Sequence, residues 1–120
     1  MADSTATSIE QTPQAVIVHV RVPNLGSSEV NAVCSGIDEA RKTAPALPFI
    51  LDLAKVGYVP SVGLGVLVGL NQEFRTRGQR LILVNLQINV RQSINITNLS
   101  RALEILPDIP SALKSLDAKA

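Results

Sequence analysis

The feature that most constrains the fold is an alternation of short apolar runs with helix-length amphipathic segments. The run from Ala15 to Val22 alternates with period two, and its valines face one side, which predicts a strand. Short apolar runs at Pro48–Leu53 and Leu81–Val84 are bounded by turn residues and predict buried strands. Ser8–Gln11 predicts a short edge strand, and Ala102–Leu106 predicts the last strand.

Helix-length segments lie between these strands. A first helix is predicted after a cap at Ser27 or Ser28, with Glu29 in its first turn. The other predicted helices are 62–77, 88–96 and one opened by Asp108 and Pro110. The order β-β-α-β-α-β-α-β-α implies a largely parallel sheet with right-handed crossovers. We therefore predict an α/β fold, with a mixed four- to five-stranded sheet and helices packed mainly on one face.

Composition excludes several classes of function. The 120 residues are 46% hydrophobic, which is enough for a core, and the net charge is +1, which argues against binding through many nucleic-acid phosphates. Arg75, Arg77 and Arg80 lie near the end of a predicted helix, where they complement its dipole. The single cysteine, Cys34, permits no internal disulfide. Without a signal-peptide pattern or an apolar run of roughly 18 to 20 residues, a cytoplasmic protein without a membrane span is expected.

No group of side chains predicts catalysis, a metal site or a cofactor site. His19, the only histidine, lies on an alternating strand and is interpreted as a half-exposed strand residue. Cys34 falls on the apolar stripe of the first helix and is interpreted as a small core residue. Asp52 follows a buried strand, where an acceptor for loop amides is the preferred interpretation.

The stretch "VPSVGLGVLVGLN", residues 59–71, raises the question of a phosphate-binding loop. The lysine of a Walker loop is absent, and Gly63, Gly65 and Gly69 are spaced one residue too far apart for the dinucleotide fingerprint. Glycine costs roughly 1 kcal/mol relative to alanine inside a helix. Close approach of backbone, from the same chain or from a partner, is the usual reason to retain it.

Ser61 stands at the entrance to this helix. Pro60 directs the chain into it from an extended conformation, and Ser61 is predicted to be the N-cap, accepting from the amide of Gly63 or Leu64. One interpretation is this cap alone. The other adds a phosphate, whose negative charge a helix N-terminus would receive favourably while changing the surface offered to a partner.

The segment "ILDLAKVGYVPSVGLGVLVGL" resembles the STAS family of anti-sigma factor antagonists. It is similar to that family's strand ending in Leu-Asp-Leu, its short loop, and the run Asp-Ser-Ser-Gly-Leu-Gly-Val-Leu. The second half, "LILVNLQINVRQSINITNLSRALEILPDIPSAL", also resembles the family, so the likeness runs from about Ala15 to Leu116. It implies a STAS domain over residues 8–117, preceded by a flexible N-terminus over 1–7. The chain departs from the family at Pro60, where aspartate is usual, and at Val62, where a second serine is frequent.

The resemblance implies a binding switch without catalytic activity, which binds an anti-sigma factor or serine-protein kinase and is regulated by phosphorylation of Ser61. Leu64 and Val68 lie off the predicted inward stripe of Val66, Leu67, Leu70 and Phe74, and are expected to be exposed. The predicted partner-binding residues are Ser61, Val62, Gly63, Leu64, Gly65 and Val68. The alternatives are a STAS scaffold subunit of a stress-signalling particle, binding other STAS proteins, and a STAS subunit of a lipid-transport ATPase complex.

Overall fold

The computed structural model describes residues 6–118, with the exception of the side chain of residue 118. The strands are β1 (Thr7–Gln11), β2 (Val16–Val20), β3 (Phe49–Asp52), β4 (Leu81–Val84) and β5 (Glu104–Leu106). The helices are α1 (Val30–Thr43), α2 (Ser61–Thr76), α3 (Ile88–Ile96) and α4 (Ile109–Ala118), with a 3₁₀ turn at Leu99–Arg101. The predicted order of strands and helices is confirmed. None of the helices in the described residues is long and apolar enough to cross a membrane.

The strands form one five-stranded sheet in the order β1-β2-β3-β4-β5. The edge strand β1 runs antiparallel to β2, and all other neighbours are parallel. The prediction that residues 48–53 supply the central strand is confirmed. Because four parallel strands end at one edge, the loops that follow them lie together there, at the start of α1, α2, α3 and α4.

The alternation of side chains on the strands produces two cores. Val18, Leu51 and Leu83 belong to the larger core, to which α1, α2 and α3 contribute. Ile17 and Ile50 point to the other face, where α4 covers them with Ala112, Leu113 and Leu116. The prediction of helices mainly on one face is confirmed, since three helices lie on one side and only α4 lies on the other.

The N-terminal boundary of the fold lies slightly earlier than predicted. Residues 1–5, most of the segment predicted to be flexible, lie outside the described residues. Ala6 and Thr7 are buried, and Thr7 begins β1. Both residues are thus part of the folded domain.

The predicted serine cap of α1 is wrong. Glu29 occupies the N-cap position, and neither Ser27 nor Ser28 caps the helix. The carbonyl of Gly26 instead accepts from the amides of Glu29 and Val30, both at 3.0 Å, and the Glu29 carboxylate accepts from the Gly26 amide at 3.1 Å. The turn that starts the helix therefore already begins at Gly26, which places both serines inside the turn.

A buried arginine joins α1 to the end of α2. Arg41 donates to Gln79 at 3.1 Å and to Glu73 at 2.9 Å, and its guanidinium lies 4.1 Å from the centre of the Phe74 ring. Phe74 in turn meets Phe49 edge-on, with ring centres 5.1 Å apart. These contacts fix the distal end of α2 against the sheet, and so hold its beginning at the carboxyl edge.

Candidate partner-binding site at the start of the second helix

The loop over residues 53–60 leads from the end of β3 to the start of α2, and it is held on both sides. The Gly57 amide donates to the carbonyl of Pro23 at 2.8 Å, and the Leu25 amide donates to the carbonyl of Tyr58 at 3.0 Å. On the other side, the Gln87 side chain donates to the carbonyl of Ala54 at 2.9 Å. The start of α2 is therefore presented from a loop fixed by hydrogen bonds rather than from a free one.

Ser61 is the first residue of α2, and the prediction that it is the N-cap is wrong. Pro60 occupies that position with φ −71° and ψ 175°, and its carbonyl accepts from the Leu64 amide at 3.0 Å. The fixed φ of proline and its extended ψ already provide the geometry of a cap, which moves the boundary one residue earlier. Ser61 is exposed, and its hydroxyl makes no hydrogen bond within residues 6–118.

The beginning of α2 is electrostatically open to an anion. The amides of Ser61, Val62 and Gly63 precede the first intrahelical bond, which the Leu64 amide makes. The first turn contains no acidic residue. The positive end of the helix dipole thus lies beside an exposed hydroxyl, with no carboxylate in that turn to oppose a negative charge.

The three glycines of α2 have different surroundings. A Cβ added to Gly63 would lie 2.3 Å from the carbonyl oxygen of Leu25, so only glycine fits against this part of the 23–28 loop. A Cβ added to Gly65 or Gly69 would meet nothing within 4 Å. Packing inside the domain explains Gly63 and leaves the other two glycines unexplained.

The structure divides the predicted partner-binding residues into exposed and buried ones. Ser61, Val62 and Gly65 are exposed, and Val68 is half-buried. Gly63 and Leu64 are buried, so the expectation of an exposed Leu64 is wrong. Because Gly63 lets the helix approach the 23–28 loop closely, Leu64 turns into the core and Val66 is only half-buried. We refer to the exposed residues Ser61, Val62, Gly65 and Gly69 as the α2 surface.

Two exposed apolar side chains near this surface were not singled out from the sequence. Tyr58, in the loop before α2, is 57% exposed, and Ile88, the first residue of α3, is 77% exposed. The Asn89 side chain donates to the carbonyl of Gly57, which joins the start of α3 to that loop. In the sequence, the only indication of these side chains is a large apolar residue close to the start of each of two helices, α2 and α3. Only the fold shows that the segments before these helices lie together.

Asp52 lies at the end of β3 and joins three strands. Its Oδ1 accepts from the side chain of Asn85 and the amide of Ala54, both at 3.0 Å, which confirms its predicted role as a loop acceptor. Its Oδ2 lies 2.7 Å from Nδ1 of the half-exposed His19, whose Nε2 lies 3.1 Å from Glu10. Burial raises the pKa of Asp52, but the hydrogen bonds from Asn85, His19 and Ala54 outweigh it and hold that pKa below its ordinary value.

Cys34 and Arg80, which were also considered from the sequence, have structural roles. Cys34 is half-buried against the larger core, and burial, followed by the charges of Asp38 and Glu73, raises the pKa of its thiol. Arg80 donates to the Glu104 carboxylate, which joins β5 to the residue preceding β4. Neither group contacts the start of α2.

Comparison with known proteins gives a family match over most of the chain. The family model described as "STAS domain" matches residues 6–112. The anti-sigma-B factor antagonist of Listeria monocytogenes is 40% identical over 55 residues, which are 46% of this chain and 48% of that protein. The aligned part therefore spans about half the length of this curated relative.

Solved structures of similar fold include an anti-sigma factor antagonist from Mycobacterium paratuberculosis, with a TM-score of 0.78 and 21% identity, covering 92% of both chains. The anti-sigma factor antagonist SpoIIAA in its unphosphorylated form has a TM-score of 0.73 and 19% identity, covering 94% of this chain and 97% of that one. SpoIIAA of Bacillus has also been solved in a phosphorylated form, with a TM-score of 0.66 and 19% identity, covering 92% of this chain and 99% of that one. At these identities the likeness shows a shared fold.

Proposed function

The chain belongs to the STAS domain family, and from that premise we propose that it is a cytoplasmic anti-sigma factor antagonist. It binds an anti-sigma factor or serine-protein kinase through the start of α2, and phosphorylation of Ser61 weakens the complex. The curated relative in Listeria carries the name of such an antagonist. SpoIIAA, which shares the fold, exists in phosphorylated and unphosphorylated forms.

The observation that carries the proposal is the state of Ser61. Its hydroxyl is exposed and free of hydrogen bonds within the described residues, so a kinase can reach it without breaking a contact. A phosphate there would carry about −1.5 to −2 charges next to unpaired amides, which accommodate it without unfolding α2. In a complex whose partner packs against this turn, the phosphate would lose its contact with water. The cost of desolvating its charge would weaken the complex.

The α2 surface and its neighbours provide the contact. Gly65 and Gly69 leave the helix backbone open, so that a partner element can approach it closely. Tyr58, Val62 and Ile88 supply exposed apolar area at the same edge of the sheet. One aromatic and two branched aliphatic side chains, together with the small residues of the α2 surface, are suited to a buried interface centre.

Pro60 bears on whether a kinase phosphorylates Ser61 in this chain. Because proline replaces the aspartate usual in the family, phosphorylated Ser61 would have no carboxylate directly before it in the chain. A kinase that recognises the aspartate would not modify the wild type. Mass spectrometry after incubation with ATP and the cognate kinase decides this point, and Pro60→Asp is the matched gain-of-site variant.

The decisive experiment is a binding titration with the cognate anti-sigma kinase. We expect Ser61→Asp to weaken the complex at least about tenfold through charge placed in the contact, and Ser61→Ala to bind like wild type. Ser100→Asp, which adds the same charge at an exposed serine of the 3₁₀ turn, is the control and should bind normally. Equal affinities for wild type and Ser61→Asp would defeat the switch.

A pull-down with wild-type protein identifies the class of partner. A kinase-like anti-sigma factor supports the proposal, whereas capture of other STAS proteins or of a transport ATPase would reassign the chain to one of those assemblies. The proposal gives the chain no catalytic step of its own. Reproducible nucleotide turnover by a preparation free of kinase would contradict that part.

A further inference from the structure

A cavity of about 290 Å³ opens at the carboxyl ends of β2 and β3, on the sheet face opposite to α2. His19 and Asp52 lie two residues after Ile17 and Ile50, which face α4, so they project from that same side. The strand register pairs Ser8 with His19 and His19 with Asp52, which brings three polar side chains into one row. The cavity is lined by Ser8, His19, Val20, Arg21, Asp52, Ala54 and Lys55.

The acidic groups at this cavity are already engaged. Asp52 accepts from Asn85 and Ala54 and faces His19, while Glu10 faces the other ring nitrogen of His19. A neutral imidazole has only one N–H, so donation to both carboxylates requires the charged ring. A protonated His19 therefore balances one of the two carboxylates and hydrogen-bonds to both.

The cationic groups at the rim have no such partner among residues 6–118. Arg21 and Lys55 are exposed, and neither pairs with a carboxylate within residues 6–118. When His19 is protonated, they give three positive groups against Asp52 and Glu10. The cavity thus carries a local positive excess together with a serine hydroxyl.

We propose that this cavity binds a small dianion, either phosphate or a dicarboxylate. Arg21 and Lys55 supply the charge and donate to the anion, and the Ser8 hydroxyl donates from the floor. In its protonated form His19 contributes charge alone, because both of its ring nitrogens face carboxylates. The volume lies at the lower limit of pockets for small molecules, roughly 300 to 1,000 Å³, which favours a compact anion.

The test is a titration of ¹⁵N-labelled full-length protein with inorganic phosphate and, separately, with succinate, at constant ionic strength set by chloride. Saturable shifts are expected for the amides of Ser8, Arg21, Ala54 and Lys55. Arg21→Gln and Lys55→Gln should each weaken binding at least about fivefold, since each removes a charged donor. Arg77→Gln is the control, because it removes an exposed cation at the end of α2, away from the cavity.

Saturable binding of either anion that is lost in the cavity variants and kept in Arg77→Gln supports the proposal, and the better ligand identifies the chemistry. Thermal melts of the three variants establish that they are folded, as expected for exposed positions. Shifts that rise linearly without saturation, or equal weakening in all three variants, mean an adventitious ion only and overturn the proposal.

Discussion

His19 makes the stability of the domain depend on pH. Burial lowers the pKa of His19, but hydrogen bonds to Asp52 and Glu10 outweigh it, and the pKa lies above the ordinary 6.5. Because the pKa of His19 is raised in the folded state, its stabilisation of the fold is fully present below the pKa of the unfolded state. This stabilisation is lost as pH rises through the pKa of the folded state. The lowered pKa of Asp52 gives the opposite sign, with stabilisation lost as pH falls below its ordinary 3.8 and through the folded-state value.

We therefore predict that the free energy of unfolding falls as pH rises above 6.5 and through the folded-state pKa of His19, with a slope of at most about 1.4 kcal/mol per pH unit for one proton. His19→Gln should remove this slope, since the chain has no other histidine. Urea denaturation at several pH values measures both proteins. A folded-state pKa of His19 at or below 6.5, read by NMR, would contradict the charged bridge.

Ser61 provides a second prediction at the scale of one side chain. Because its hydroxyl caps nothing, Ser61→Ala should change the free energy of unfolding by less than about 0.5 kcal/mol. Ser61→Asp should stabilise the fold by about 0.3 to 1 kcal/mol through the helix dipole. Denaturant titrations of both variants provide the check. A loss near 1 kcal/mol in Ser61→Ala would restore the cap that the sequence suggested.

At the scale of one helix, the glycines of α2 separate packing from partner binding. Gly63→Ala should destabilise the domain by about 1 to 3 kcal/mol, because its Cβ would overlap the Leu25 carbonyl at 2.3 Å. Gly65→Ala and Gly69→Ala should each stabilise it by about 0.5 to 1 kcal/mol, since their surroundings are open. Thermal melts of the three variants test this order.

If a partner approaches the helix backbone, the two stabilising substitutions should also weaken the complex with the anti-sigma kinase. Calorimetric titration of folded Gly65→Ala and Gly69→Ala measures this directly, with Ser35→Ala on the exposed side of α1 as control. Undiminished binding by both variants would mean that the partner does not use the α2 surface.

The extent of α2 could be predicted from its apolar stripe, whereas its rotation about its axis could not. Several neighbouring rotations of α2 about its axis would bury most of the apolar stripe. The contact of Gly63 with the 23–28 loop selects a rotation that also buries Leu64. That contact joins residues distant in the chain, as does the hydrogen bond from Asn89 at the start of α3 to the carbonyl of Gly57. Sequence patterns report local periodicity, so they located Ser61 and Val62 but did not find the exposed Tyr58 and Ile88.

At the scale of the whole molecule, the alternation of strands and helices was sufficient to predict the order of these elements along the chain and the central position of β3. It could not show that α4 alone crosses to the second face, because the stripe of Leu113 and Leu116 fits either face of the sheet. The result is a domain whose α4 covers one core while the carboxyl edge stays accessible. The candidate partner surface and the anion cavity both lie at this edge, on opposite faces of the sheet.

This arrangement predicts where a bound partner protects the backbone from hydrogen exchange. In the complex with the anti-sigma kinase, protection should appear in the 53–60 loop, in residues 61–69 and at the start of α3, where the exposed apolar side chains lie. The amides of α4 should exchange as in the free protein, because that helix covers the other face. Ser61→Asp at the same partner concentration is the control and should show little protection. Protection centred on α4 would place the interface on the wrong side of the sheet and would refute the partner surface proposed for α2.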